Sequence, residues 1–169
     1  MPQWFALRVK SRFEKSVAEA ARLKGFEEFL PLYQSRHIWS DRAKSVESPL
    51  FPGYVFCRLD AEHRFGLLTI PGVLHIVSLG KTPVPLDDTE IASVQNAVRS
   101  RLPVEPWSYV EDGKRVRLVS GPGNGIEGFL LPGEKEQRIV VNLSALRRAV
   151  AIGIEPEWAE AEISRAAGT

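Results

Sequence analysis

The chain predicts an α+β N-terminal domain, a mainly antiparallel sheet with helices packed on it, followed by a small all-β barrel. Three observations carry this. Up to about residue 99 the apolar pattern alternates between a strand period and a helix period, in the order strand, helix, three strands, helix, strand, helix. Arg99–Tyr109 then breaks all periodicity with Pro103, Glu105 and Pro106. Beyond it five short strand candidates recur at a spacing of about ten residues, with no helix pattern between them, as in a small barrel. The expected domains are therefore 1–102 and 110–165, joined by a linker at 103–109.

Each element has its own reason. In Gln3–Val9, Phe5, Leu7 and Val9 alternate with Trp4, Ala6 and Arg8, as a half-buried strand should. Ser11-Arg12-Phe13-Glu14 has capping-box spacing and opens a helix with Phe13, Val17, Ala20 and Ala21 on one face, ended by Gly25. Phe26–Tyr33 is extended, with a break at Pro31. Ser35–Trp39 and Ser45–Leu59 flank an exposed charged loop, Ser40-Asp41-Arg42-Ala43-Lys44. The second of these strands carries Pro52-Gly53 in its middle, so a bulge is expected there. A short helix at His63–Thr69 stops at Pro71-Gly72, and Val73–Leu79 is a strand. Asp87 or Asp88 caps a helix bearing Ile91, Val94 and Val98 on one stripe. The barrel strands are Lys114–Ser120, Ile126–Leu131, Gln137–Leu143, Arg147–Ile154 and Glu157–Ile163.

Composition narrows the function. With 169 residues, 44% hydrophobic and 25% charged, the chain is ordinary for a globular protein. No apolar run reaches the roughly 18 residues of a membrane helix, and the first residues lack a basic segment followed by an apolar one. A cytoplasmic, membrane-free, monomeric protein is expected. The single cysteine, Cys57, excludes disulfides within the chain and a multi-cysteine metal site. Net charge is +1 but uneven: residues 1–102 hold 14 Lys and Arg against 11 Asp and Glu, whereas 103–169 hold 8 against 10. Arg8, Lys10, Arg12, Lys15, Arg22 and Lys24 make a local basic patch, which permits phosphate contact and equally suits a solvated helix face.

No enzyme signature emerges. Gly123-Asn124-Gly125-Ile126-Glu127-Gly128 matches the dinucleotide fingerprint, but Phe129-Leu130-Leu131-Pro132-Gly133 after it is no helix start, and turn glycines explain it better. His37, His63 and His75 are scattered without a triad or metal spacing. No catalytic residue, metal or cofactor is expected. What stands out instead is Leu50-Phe51-Pro52-Gly53-Tyr54-Val55-Phe56, a break in extended structure crowded by aromatic rings.

A resemblance gathers these features. Val110–Pro122 with Gly125-Ile126-Glu127-Gly128 resembles a KOW motif. Together with Trp4-Phe5-Ala6-Leu7, the Leu50–Phe56 stretch, Pro71-Gly72-Val73 and Gly80-Lys81-Thr82-Pro83, it resembles the NusG family of transcription elongation factors over almost the whole chain. The resemblance implies an NGN domain, a linker and an SH3-like KOW barrel, and no enzymatic activity. It implies that the first domain binds the clamp helices of RNA polymerase through Phe51, Pro52, Gly53, Tyr54 and Phe56, with Leu79, Ile91 and Val94 lining the same pocket. Ile91 and Val94 equally suit packing between sheet and helix. Arg8, Lys10, Arg12, Lys15 and Arg22 would lie near the non-template DNA strand. Leu146, Arg147 and Arg148 stand where the general factor carries an aromatic-Gly-Arg step for the Rho terminator and a ribosomal protein. That departure implies a specialised antitermination paralogue of the RfaH, UpxY and LoaP kind. The alternatives are a general factor linking polymerase to Rho or the ribosome, and a ribosome-associated RNA-binding KOW protein.

Overall fold

The structure, a computed structural model, describes residues 1–39, 42–131, 133 and 137–160, with the side chains of 36–39, 42–44 and 160 left aside. The chain divides into two compact units, Met1–Leu86 and Asp87–Thr169. Each is built on antiparallel strands.

In the first unit, β1 (Gln3–Val9), α1 (Glu14–Leu23), β2 (Glu27–Phe29), β3 (Leu32–Trp39), β4 (Arg42–Pro49) and β5 (Tyr54–Leu59) follow in order. They are succeeded by α2 (Phe65–Leu68), β6 (Val73–Ile76), β7 (Ser78–Leu79) and β8 (Thr82–Pro83). The main sheet has the order β2-β5-β1-β6, while β3-β4 and β7-β8 are separate two-stranded ribbons. Alternation along β1 and β5 sends Phe5, Leu7, Val9, Val55, Cys57 and Leu59 to one face. There they bury against Val17, Ala18 and Ala21 of α1 and Leu67 of α2. The opposite face holds an aromatic cluster. Phe56 packs edge-on to Phe51 at 5.5 Å, Phe29 lies 6.3 Å from Phe56, and Trp4 is edge-on to Phe29 at 6.4 Å.

Three local expectations change here. The capping box does not form: Ser11 lies ahead of the helix, and Phe13 stands at the N-cap without a side-chain cap. The chain instead turns through Arg12 in the left-handed region (φ 70°), closed by the Phe13 N–H donating to the Lys10 carbonyl at 3.0 Å. Phe13 is consequently exposed, off the helix's buried face. Arg42, Ala43 and Lys44 belong to β4, paired with Trp39, Ile38 and His37, so the charged loop is shorter than expected. Its remaining Ser40 and Asp41 lie outside the described residues. Finally, Ser45–Leu59 is two strands in two sheets, with Pro52-Gly53 in the turn between them. The register irregularity sits on the other side of β1, where Arg8 pairs with His75 and Val9 with Val73.

The second unit opens with α3 (Asp88–Arg99), capped as expected by Asp87, whose carboxylate accepts from the Thr89 and Glu90 N–H groups at 2.9 and 3.1 Å. Then come β9 (Val104–Trp107), β10 (Arg115–Leu118), β11 (Glu127–Leu131), β12 (Gln137–Leu143), β13 (Arg148–Ile154) and β14 (Ala159–Glu160). They form one sheet in the order β14-β10-β11-β12-β13-β9. Val104–Trp107, expected inside a linker, is thus an edge strand pairing residue for residue with Ile152–Ala149. Pro106 suits an edge strand, having no N–H to leave unpaired. Residues 157–158 of the expected last strand form a 3₁₀ turn, Pro156–Trp158, and 161–163 lie outside the described residues. The Gly123–Gly128 run leads into β11 with no helix after it. A Cβ on Gly128 would strike the Val140 carbonyl of β12, so the tight sheet accounts for this glycine.

Candidate functional site: an arginine-held tyrosine on a pinned turn

Phe51-Pro52-Gly53-Tyr54 is a turn of type II composition. The Tyr54 N–H donates to the Phe51 carbonyl at 3.1 Å, Pro52 takes the second position, and Gly53 is left-handed at φ 85°. The turn is fastened from two sides. The Gly53 carbonyl accepts from the Val9 N–H at 2.9 Å. The Gly53 N–H donates to the Glu14 carboxylate at 3.1 Å, and Glu14, in the first turn of α1, is buried. A buried carboxylate needs such a donor, and Gly53 supplies it.

Arg8 and Tyr54 are cross-strand partners on β1 and β5, so their side chains leave the same face. The Arg8 guanidinium lies over the Tyr54 ring, 5.0 Å from its centre, and fills the space a Gly53 Cβ would take. The result is a half-buried aromatic ring, with a cation over its face, on a turn anchored to the sheet and to a helix start. Tyr54 and the exposed Pro52 face solvent, whereas Phe51 and Phe56 are buried at 1% and 0% exposure. Phe51 and Phe56, expected to share a docking surface, lie buried beneath the turn in this structure. Phe56 does leave the sheet on the Tyr54 side, as alternation requires, but Phe29 and Phe51 cover it. Leu79 is well exposed at the end of β7, at 81%. Ile91 and Val94 belong to the second unit and are buried, on a helix packed along β11 and β12. That helix is tied to the strands by polar contacts: the Glu90 carboxylate accepts from the Ser144 N–H and hydroxyl at 2.9 and 2.6 Å, and the Ser93 hydroxyl accepts from the Glu127 N–H at 3.2 Å.

The basic patch is not uniform. Lys15 pairs with Glu47 at 3.0 Å, and Arg8 is committed to Tyr54. Lys10, Arg12 and Arg22 are exposed. Cys57 is buried in β5 beside its cross-strand neighbour Glu28; burial first, and the Glu28 charge second, push its thiol up to about 12. It is a packing residue, inert as a nucleophile. Asp60, Glu62 and His63 cluster at the surface, but exposed acids gather commonly and nothing marks them as ligands. Among the described residues no helix is long and apolar enough to cross a membrane.

In the second unit, Ser144–Leu146 is a 3₁₀ turn and Arg147 follows it in the left-handed region, φ 51° and ψ 42°. Its guanidinium reaches Glu111 at 2.7 Å and lies 4.6 Å over the Tyr109 ring. Leu146, Arg147 and Arg148 share an open groove of about 750 Å³ with residues 106–109. Trp107 and Tyr109 thus line the groove beside 146–148, where sequence alone points to Leu146, Arg147 and Arg148. Their signal was present, an aromatic pair inside a proline-broken segment, but an assumed linker hid it. Glu14 was missed for a different reason: a carboxylate in a first helical turn reads as dipole complement, not as a clamp on a turn 39 residues away.

The matching family model, described as "Transcription termination factor nusG", covers residues 2–95. The chain belongs to the NusG family. Among similar proteins, the transcription termination/antitermination protein NusG of Helicobacter pylori strain J99 is 26% identical over 169 residues, covering 91% of this chain and 95% of that one. The protein of the same name from Borreliella burgdorferi is 24% identical over 147 residues, covering 75% and 80%. Among solved structures, that titled "Domain interaction in Thermotoga maritima NusG" superposes with a TM-score of 0.57 at 22% identity, covering 95% of this chain and 97% of that one. At that identity the likeness shows the NusG fold, and the Arg8–Tyr54 pair is described for this chain only.

Proposed function

We propose that this NusG-family chain is a non-enzymatic transcription elongation/antitermination factor that docks on the clamp helices of RNA polymerase through Pro52, Gly53 and Tyr54. One observation carries the reading: Tyr54 is held half-exposed by Arg8 on a turn that Glu14 fixes from behind. A ring already ordered in the free protein loses little freedom on binding, and a tyrosine offers apolar area with a polar tip. Leu79, exposed on the same unit, is read as a further contact. Binding one state of the elongation complex better than another is what suppresses pausing. Lys10, Arg12 and Arg22 supply weak, salt-sensitive contact to the non-template DNA strand.

The β-rich second unit is read as an SH3-like KOW barrel that recruits a further partner at Leu146, Arg147 and Arg148. The specialised-paralogue reading draws support from Arg147, which keeps a backbone conformation suited to Gly while presenting bulk and charge. A general factor would bind Rho or a ribosomal protein there.

The deciding experiment is a titration of the chain against RNA polymerase from its own host. Tyr54→Ala is expected to weaken binding by about 2–4 kcal/mol, the loss typical of a central aromatic anchor. A folded Tyr54→Ala variant that binds polymerase as well as the parent removes this surface from the reading.

A further inference from the structure

We propose that Arg8 pairs with a carboxylate that polymerase presents over Tyr54, so that this cation selects which protein surface the turn accepts. The observation is a cation without a counter-ion. The Arg8 guanidinium is half-buried, seated where a Gly53 Cβ would stand and 5.0 Å over the Tyr54 ring. Among the described residues it has no ion pair and donates no hydrogen bond. The register shows why. Its cross-strand neighbours are Tyr54 on β5 and His75 on β6, and Ala6 stands two residues before it on the same face. None is an acid. Glu14, the carboxylate behind the turn, accepts from the Gly53 N–H instead. Contact with a ring uses the charge of a guanidinium and none of its N–H donors, so those donors are left to an outside acceptor.

Docking makes this decisive. In the free protein water reaches the exposed side of the guanidinium. A partner that covers Tyr54 also covers Arg8, and taking a cation out of water without pairing it is costly. A surface with a carboxylate at that point offsets the cost through a two-pronged, charge-assisted hydrogen bond, which the planar fork of arginine fits. A surface with a lysine or an apolar side chain there is rejected. That the carboxylate belongs to polymerase rests on the proposed function. A DNA phosphate would also satisfy a guanidinium. Beside Arg8, however, Tyr54 and the exposed Pro52 offer apolar area suited to protein side chains, while Lys10 and Arg12 stand exposed for phosphate.

The test is a titration of the full chain against core RNA polymerase from its own host, free of nucleic acid. Arg8→Met is the main variant, because methionine fills comparable apolar space beside the ring and carries no charge. It is expected to bind about thirtyfold or more weakly, the usual loss when one member of a covered charge pair is removed. Arg8→Lys, which keeps the charge but not the fork, should recover part of that loss. The gap between Arg8→Met and the parent should persist from about 50 to 200 mM salt, since covered pairs are screened little. Arg8→Gln serves if Arg8→Met fails to fold, with the same expected loss. Parent-like binding by Arg8→Met makes Arg8 only a support for the ring and overturns the proposal. So does a gap that closes at the higher salt. So does a loss seen only once a DNA scaffold is added, which gives Arg8 to phosphate. Tyr54→Ala is titrated alongside. If it binds as tightly as the parent, the docking surface itself fails. If it binds weakly while Arg8→Met does not, the carboxylate alone fails.

Discussion

Two tips of the molecule solve the same backbone problem differently. At 52–53 the left-handed position is a glycine, and its lack of a side chain is used: the Arg8 guanidinium occupies that space on its way to Tyr54. At 146–148 the left-handed position is Arg147, which accepts the strain and spends its side chain on Tyr109 and Glu111. The first turn is fastened by a buried carboxylate and by β1, while the second is held mainly by exposed contacts. One tip is therefore a rigid presentation of a single ring. The other is a charged rim whose contacts can be exchanged.

The comparison can be broken most severely at the floor of the first tip. Phe56→Ala should cost about 3–5 kcal/mol of stability, the range for emptying a buried aromatic site. Tyr54→Ala should cost far less, since its ring is half-exposed. Urea unfolding of both variants checks this, and equal losses would mean that Tyr54 is core and not presentation. Next comes the clamp. Glu14→Ala leaves the buried Gly53 N–H without its acceptor and should cost about 1–3 kcal/mol. Amide hydrogen exchange at Gly53 should accelerate in step, and unchanged protection would show that the turn stands without Glu14. Gly53→Ala follows, at about 1–2 kcal/mol from left-handed strain, because the Arg8 side chain that meets the new methyl can move aside. It should also weaken polymerase binding by displacing Arg8 from Tyr54. The smallest effect belongs to the second tip. Arg147→Gly relieves strain but loses an exposed ion pair and a ring contact, so stability should change by less than about 1 kcal/mol. A large loss in thermal unfolding would make Arg147 a structural post and collapse the contrast.

The sequence by itself determined a good deal of this protein. The stripe through Ile91 and Val94 marks its helix because burial selects residue type at fixed spacing, whereas Gln3–Val9 is a strand buried on both faces and not the half-buried one its alternation predicts. Asp87 announced its helix because a cap acts two and three residues away. The break at Pro52-Gly53 was legible because Pro and Gly leave local signatures, although they predict a bulge where the structure has a turn between two strands. Only the tertiary structure decided which rings of Leu50–Phe56 are buried and which face solvent, since Phe29, distant in sequence, joins Phe51 in packing on Phe56. It also decided that Val104–Trp107 is a strand. A proline-broken segment has no periodicity to read, and its partner, β13, lies over forty residues further on. The Glu14 clamp, the Arg8–Tyr54 stack and the Trp107–Tyr109 groove share that origin: each joins residues far apart in sequence, and residue type and spacing along a chain carry no record of which distant groups folding brings together.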